Sequence, residues 1–177
     1  MHRVKRVAIV GQPGSGKSTL ARQLGQRLNL PVFHMDHIHW KPGWQARDRD
    51  ERLELARAVI AKETWVFEGG FSAIQSERIE RAEVMVWLDL PLWLRVWRVV
   101  KRTVRYFGQV RPDMQKNCPE GVNPEMVKFF RYIWDTRHSA REKLEASLNP
   151  CPEGLTLIRL RSVKEVRMFL SELPELS

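Results

Sequence analysis

The residues Gly11-Gln12-Pro13-Gly14-Ser15-Gly16-Lys17-Ser18 constrain this chain more than any other stretch. They satisfy the G-x-x-x-x-G-K-[ST] spacing of a phosphate-binding loop. They follow the apolar run Val7-Ala8-Ile9-Val10 and precede Thr19-Leu20-Ala21-Arg22-Gln23-Leu24, which reads as the opening of an amphipathic helix. The glycines permit a backbone path whose N–H groups face inward at phosphate oxygens, and the helix N-terminus adds positive potential. This context predicts a nucleoside triphosphate site. Gly11, Gly14, Ser15, Gly16, Lys17, Ser18 and Thr19 would form an ATP cradle, with Lys17 bridging the β and γ phosphates and the Ser18 hydroxyl holding Mg²⁺.

Apolar runs bounded by turn signals recur at Val4–Val10, Pro31–Met35, Trp65–Phe67, Val84–Leu88 and Leu155–Leu160. Between them, helical periodicity predicts helices over 17–28, 50–62, 75–82, 91–107, 124–148 and 162–173. Strands alternating with helices imply an α/β fold with a parallel sheet covered on both faces. Asn123-Pro124 reads as a cap followed by proline at the first helical position, Ser162-Val163-Lys164-Glu165 as a capping box, and Pro174 as the stop of the last helix. Gly108–Asn123 is the longest stretch without periodicity and is the candidate lid. The 177 residues fit one kinase-like domain, with 36–64 as an acceptor-binding region and 106–124 as the lid segment.

A formal net charge of +9 favours anionic partners: nucleotides, phosphorylated metabolites or nucleic acid. No uncharged stretch is long enough to span a bilayer, so a cytoplasmic location without a membrane partner is expected. The two cysteines, Cys118 and Cys151, each open a Cys-Pro-Glu-Gly sequence and read as two similar turns with reduced thiols.

The helix beginning at Pro91 carries Arg95, Arg98, Lys101, Arg102 and Arg105 on one arc, with Val96, Trp97, Val99, Val100 and Val104 on the opposite one. The expectation is that the apolar arc packs and the other presents cations towards the ligand crevice, although a plain solvated basic face would look the same. Three carboxylates are expected at strand ends on the loop's edge of the sheet. Asp36 closes the second strand, Glu68 the third and Asp89 the fourth. Such groups can hold metal-bound water or deprotonate an acceptor hydroxyl. Asp36 and Glu68 are preferred, because Asp89 could instead cap the helix that follows. His34, His37 and His39 have spacing that suits a polar substrate-facing loop better than a zinc site. Trp40 and Trp44 could stack on an acceptor or anchor their loop to the core.

Taken together, Gly11–Thr19, His34-Met35-Asp36 with Trp40-Lys41-Pro42-Gly43-Trp44, Trp65–Ser72, Leu88-Asp89-Leu90-Pro91, and Arg111-Pro112-Asp113 through Cys118-Pro119-Glu120 resemble the DNA topology modulation (FlaR-type) proteins. These are small P-loop proteins similar to adenylate kinase and shikimate kinase. The resemblance implies a five-stranded parallel sheet in the order 2-3-1-4-5, ATP with Mg²⁺, and a lid over the phosphates. It also implies phosphate-binding arginines at Arg98 and Arg102, and others on the helix after the lid, where Arg137 and Arg141 are the nearest matches. Such proteins usually carry Asp-Gly-Asn after the third strand, where this chain has Glu68-Gly69-Gly70.

The expected function is ATP-dependent phosphoryl transfer to a small acceptor, such as a nucleotide or nucleoside. Lys17, Asp36, Arg98, Arg102 and Arg137 would be catalytic, with Ser18 and Glu68 on the metal side and Asp36 the base for a hydroxyl acceptor. The competing reading is a nucleotide-gated nucleic-acid-binding protein that modulates DNA topology. No helix-turn-helix or RNA-binding signature accompanies the charge, so it is less favoured. Either a monomer or a homodimer is compatible with the sequence.

Overall fold

Every second residue of the central strands meets a different layer of helices, and this alternation divides the buried apolar surface into two cores. The computed structural model describes residues 4–110, 114, 116–121 and 124–173. Arg111, Pro112, Asp113, the Asn123 cap and Pro174 lie outside the described residues. In chain order the strands are β1 (Arg6–Gly11), β2 (Val32–His34), β3 (Trp40–Lys41), β4 (Gln45–Ala46), β5 (Trp65–Glu68), β6 (Val84–Leu88) and β7 (Thr156–Leu160). The helices are α1 (Lys17–Leu28), α2 (Met35–His39), α3 (Arg49–Ile60), α4 (Gln75–Arg81), α5 (Leu92–Arg105), α6 (Pro124–Asp135), α7 (Ser139–Ser147) and α8 (Val163–Glu172).

The main sheet runs β2-β5-β1-β6-β7 with all neighbours parallel, while β3 and β4 form a separate antiparallel hairpin. With the hairpin set apart, this is the expected 2-3-1-4-5 order. On one face Ala8, Val10, Trp65, Phe67, Met85 and Trp87 pack with Ala56, Val59 and Ile60 of α3 and Ile79 of α4. On the other, Val7, Ile9, Val66, Val86 and Leu88 meet Leu20, Ala21 and Leu24 of α1, with Val166, Phe169 and Leu170 of α8 against them. The Ser162 half of the capping box forms, with Ser162 Oγ accepting from Glu165 N at 3.1 Å, while the Glu165 carboxylate accepts from Arg161 N, one residue before the cap, at 2.8 Å.

Three expectations are corrected. The stretch expected as one helix over 124–148 is two, because the chain breaks after Asp135 and resumes at Ser139. The break frees the Thr136 and Arg137 carbonyls, which accept from Gln12 Nε2 at 3.2 and 3.0 Å. Asp36 does not close a strand; it lies in the first turn of α2, a short helix the apolar pattern is too brief to announce. The face of α5 buried most deeply is Arg95, Val99 and Thr103, while Trp97, Val100 and Val104 are exposed.

Candidate active site around the phosphate loop

The parallel sheet brings the C-terminal ends of β1, β2, β5 and β6 to one edge, where the phosphate loop leaves β1. The loop turns sharply, with Ser15 N donating to Gln12 O at 3.2 Å and Leu20 N to Gly16 O at 3.0 Å. It then hands over to α1 through Gly16 in the left-handed region at φ 95°. Gly11 must lack a Cβ, since one there would stand 2.7 Å from the Leu88 carbonyl oxygen. The buried Ser15 hydroxyl has no hydrogen-bond partner among the described residues. Thr19 is exposed on the outer side of α1.

Lys17 Nζ donates to Gln12 O at 3.3 Å, so the ammonium folds back over the loop. Desolvation lowers its pKa below the ordinary 10.5, the charges of Glu68 and Asp36 oppose that shift, and those of Arg102 and Arg95 reinforce it. Beside it, the buried Glu68 Oε1 accepts from Ser18 Oγ at 3.0 Å and lies 2.8 Å from His34 Nδ1. Burial alone would raise the Glu68 pKa; the His34 hydrogen bond, the Lys17 charge and the Ser18 hydroxyl outweigh it, and the carboxyl is held below 4.5. A hydroxyl and a carboxylate side by side are hard oxygen donors that suit Mg²⁺, and a desolvated ammonium folded over a loop at a helix N-terminus suits a polyphosphate.

The arginines divide into distinct settings. Arg95 is buried and donates from Nε to Leu90 O at 3.1 Å, with its terminal nitrogen 3.5 Å from Pro13 O. Arg98 donates to Ser15 O at 2.8 Å. Burial lowers the pKa of both. These two side chains occupy loop carbonyls that would otherwise oppose an anion. Arg102 Nε lies 3.4 Å from Glu120 Oε1, and Thr103 Oγ1 donates to the same carboxylate at 3.3 Å. Arg137 is stacked on Trp134, 4.3 Å from the ring centre. Arg141 sits 3.5 Å from both Asp89 and Glu145. Asp89 also accepts from Arg159 Nε and Nη2 at 3.0 and 2.7 Å, so it ends β6 as part of an ion-pair cluster.

Asp36 is exposed on α2 and its charge is felt by Lys17. Sequence reasoning missed Arg78, a fully buried cation on α4 that donates to Gly69 O and to Gln75 Oε1, both at 2.6 Å, and lies over the Phe67 ring. Burial pushes its pKa down to about 10, so it remains a cation at neutral pH. Its one sequence signal is a position three residues after Gln75, one helical turn on, where an arginine and an amide share a face. Two of the segments on which the FlaR-type resemblance was based, Trp40–Trp44 and Cys118–Glu120, meet. Gly43 N donates to Asn117 O at 3.1 Å, Trp44 N to Cys118 Sγ at 3.3 Å, and Trp44 Nε1 to Pro119 O at 3.1 Å. Trp40 and Trp44 themselves stand edge to face at 5.2 Å.

No family model matches the chain. A shikimate kinase of Francisella philomiragia is 28% identical over 155 residues, covering 76% of this chain and 85% of that protein. The human protein Threonine synthase-like 1 is 23% identical over 162 residues, which cover 82% of this chain; the match spans only 21% of that longer protein. Among solved structures, the shikimate kinase of Acinetobacter baumannii, determined in complex with shikimate, superposes with a TM-score of 0.56 at 19% identity, covering 96% of this chain and 90% of that one. No helix among the described residues is long and apolar enough to cross a membrane. The sheet order, the loop after β1 and these likenesses agree: the chain has the fold of the P-loop kinases.

Proposed function

We propose that this chain is an ATP-dependent phosphotransferase acting on a small acceptor. The observation that carries the reading is the Lys17 ammonium folded over a glycine-bounded loop, beside the Ser18–Glu68 pair. A desolvated cation within an amide cup is costly unless an anion takes the place of water. A polyphosphate held there gains the loop amides, Lys17 and the α1 N-terminus together.

Ser18 and Glu68 hold Mg²⁺ in this reading, and when bound it neutralises charge on the β and γ phosphates. Arg98 fixes the loop through Ser15 O, while Arg102, one turn further along α5 and paired with Glu120, supplies positive charge. Arg137 reaches the transferring group only by leaving Trp134. Asp36 faces the acceptor and takes the proton of a hydroxyl nucleophile at its carboxylate. Residues 36–64 bind the acceptor, and the segment 106–124 closes over the phosphates. The contact between Trp40–Trp44 and Cys118–Glu120 ties the acceptor region to the lid segment in this reading. The likeness to shikimate kinases makes a polyhydroxylated carboxylic acid an acceptor to test beside nucleosides, nucleoside monophosphates and polyols.

Calorimetric titration with Mg-ATP tests the site, and ADP release across that acceptor panel tests the transfer. Binding that Lys17→Met weakens at least about a hundredfold is expected, together with turnover stimulated by one class of acceptor. Absence of Mg-ATP binding by the wild-type chain would falsify the proposal.

A further inference from the structure

The α5 helix faces two ways. Arg95, Val99 and Thr103 turn inward towards the phosphate loop, and the opposite side carries Trp93, Trp97, Val100 and Val104. Those four are spaced by four, three and four residues, so they form one continuous stripe along the helix, with the repeat that lets a helix seat another helix side by side. The stripe is exposed along its length: Trp93 is 70%, Trp97 58% and Val104 72% accessible. On the neighbouring α6, Trp134 and Val127 add 58% and 65%. Between the two helices runs an apolar groove of about 640 Å³, with Leu92, Val96, Phe130 and Ile133 in its lining.

We propose that this α5–α6 face is a homodimer interface, covered by the same face of a second copy. The accessible apolar area of the three tryptophans and three valines is roughly 700 Å², more than the largest patch of a typical monomer and close to the roughly 800 Å² per partner of a standard interface. The patch holds both projecting indoles and a groove able to receive them, which is the self-complementarity a two-fold contact requires. Two copies brought together would form a four-helix arrangement of α5 and α6 with their equivalents. Lys101 and Arg105 border the stripe on α5, and Arg131 borders Trp134 on α6, paired at 3.4 Å with Asp135. In an isologous pair Lys101 and Arg105 stand at the rim, where repulsion between like charges opposes association at low salt and is screened at high salt. An anionic partner, such as an acidic lipid surface, would show the reverse dependence.

The test is analytical ultracentrifugation of the full chain at tens of micromolar, in low and high salt, for wild type, Trp97→Glu and Val104→Glu. Circular dichroism and Mg-ATP titration check that each variant is folded. The wild type is expected at twice the chain mass, with association undiminished or tighter in high salt, and both variants are expected as folded monomers that bind Mg-ATP as the wild type does. A monomeric wild type overturns the proposal, as does a dimer that both variants leave intact. A monomer that co-sediments with vesicles containing anionic lipid in low salt but not in high salt also overturns it and gives the face to a lipid surface. These readouts separate the interface from the proposed kinase activity, since a dimer that binds no ATP would sink only the latter.

Discussion

Gly14 lies so close to Arg95 that a Cβ on it would stand 2.4 Å from the Arg95 carbonyl oxygen. The contact joins the phosphate loop to the backbone of α5. Neither side can yield easily: Gly14 has φ +79°, and Arg95 is pinned by its own side chain to Leu90 O. Gly14→Ala is therefore expected to cost about 2–3 kcal/mol of stability and to abolish Mg-ATP binding. Gly43→Ala is the control, because Gly43 has φ +81° with nothing within 4 Å of a Cβ; it is expected to cost about 1 kcal/mol. Urea unfolding of the two variants measures the difference, and equal costs would mean that the loop and α5 are not locked together.

Arg78 supports the turn after β5 from beneath. Its two donors satisfy Gly69 O and Gln75 Oε1 at once, a fork that a lysine ammonium cannot reproduce at both distances. Arg78→Lys should lower stability by about 2 kcal/mol, because a buried acceptor loses its partner. Since Gly69 follows Glu68 directly, the same change is expected to raise the KM for the acceptor more than that for ATP. Thermal unfolding and steady-state kinetics read the two effects separately.

Glu68 gives the ligand-free protein an acid-sensitive contribution to stability. Its folded pKa lies below the ordinary 4.5, so as pH falls the unfolded chain takes up the proton first. The contribution is complete above the unfolded value and is lost as pH drops through the folded one. Glu68→Gln removes this titration. In urea titrations from neutral to acid pH, the wild-type midpoint should fall more steeply than that of the variant, and parallel curves would show that the carboxylate is not held as its neighbours indicate.

Which parts of this arrangement were legible in the sequence follows from what each signal measures. The strand–loop–helix around Gly11–Ser18 combines residue type with a backbone requirement, and α1 begins at Lys17 as expected. Strand order followed from a family likeness and was matched by the registers. Periodicity on α5 set Arg95 and Val99 on opposite arcs, whereas the inward face takes both, with Thr103, and leaves most of the apolar arc exposed. The signal that periodicity lacks is polar: Arg95 and Arg98 donate to the Leu90, Pro13 and Ser15 carbonyls, contacts between residues up to 83 positions apart. The break between α6 and α7 was hidden for a similar reason, since Gln12 reaches its carbonyls across 124 and 125 residues. Arg141 was named only by the family likeness, and Asp89 and Glu145 hold it at an ion-pair cluster.

The join between the β3–β4 hairpin and the segment around Cys118 yields a prediction about motion. Cys118 is buried, accepts from Trp44 N, and lies 3.7 Å from Lys41 O, whereas Cys151 is exposed. Alkylation of Cys118 therefore requires the two segments to part, and Cys151 provides an internal standard for intrinsic thiol reactivity within the same chain. In the wild type, iodoacetamide should modify Cys151 rapidly and Cys118 slowly. Trp44→Ala removes the indole bond to Pro119 O and the edge-to-face contact with Trp40 while leaving the backbone bond in place. It is expected to speed Cys118 labelling about tenfold, equivalent to about 1.4 kcal/mol in the opening equilibrium. If the segment 106–124 closes over bound nucleotide, Mg-ATP should slow Cys118 labelling further in the wild type and less in the variant, because the hairpin then follows the closure only where Trp44 ties it. Mass spectrometry of timed digests reports both sites, and equal labelling of the two cysteines in the wild type would show that the joined arrangement is not the populated one.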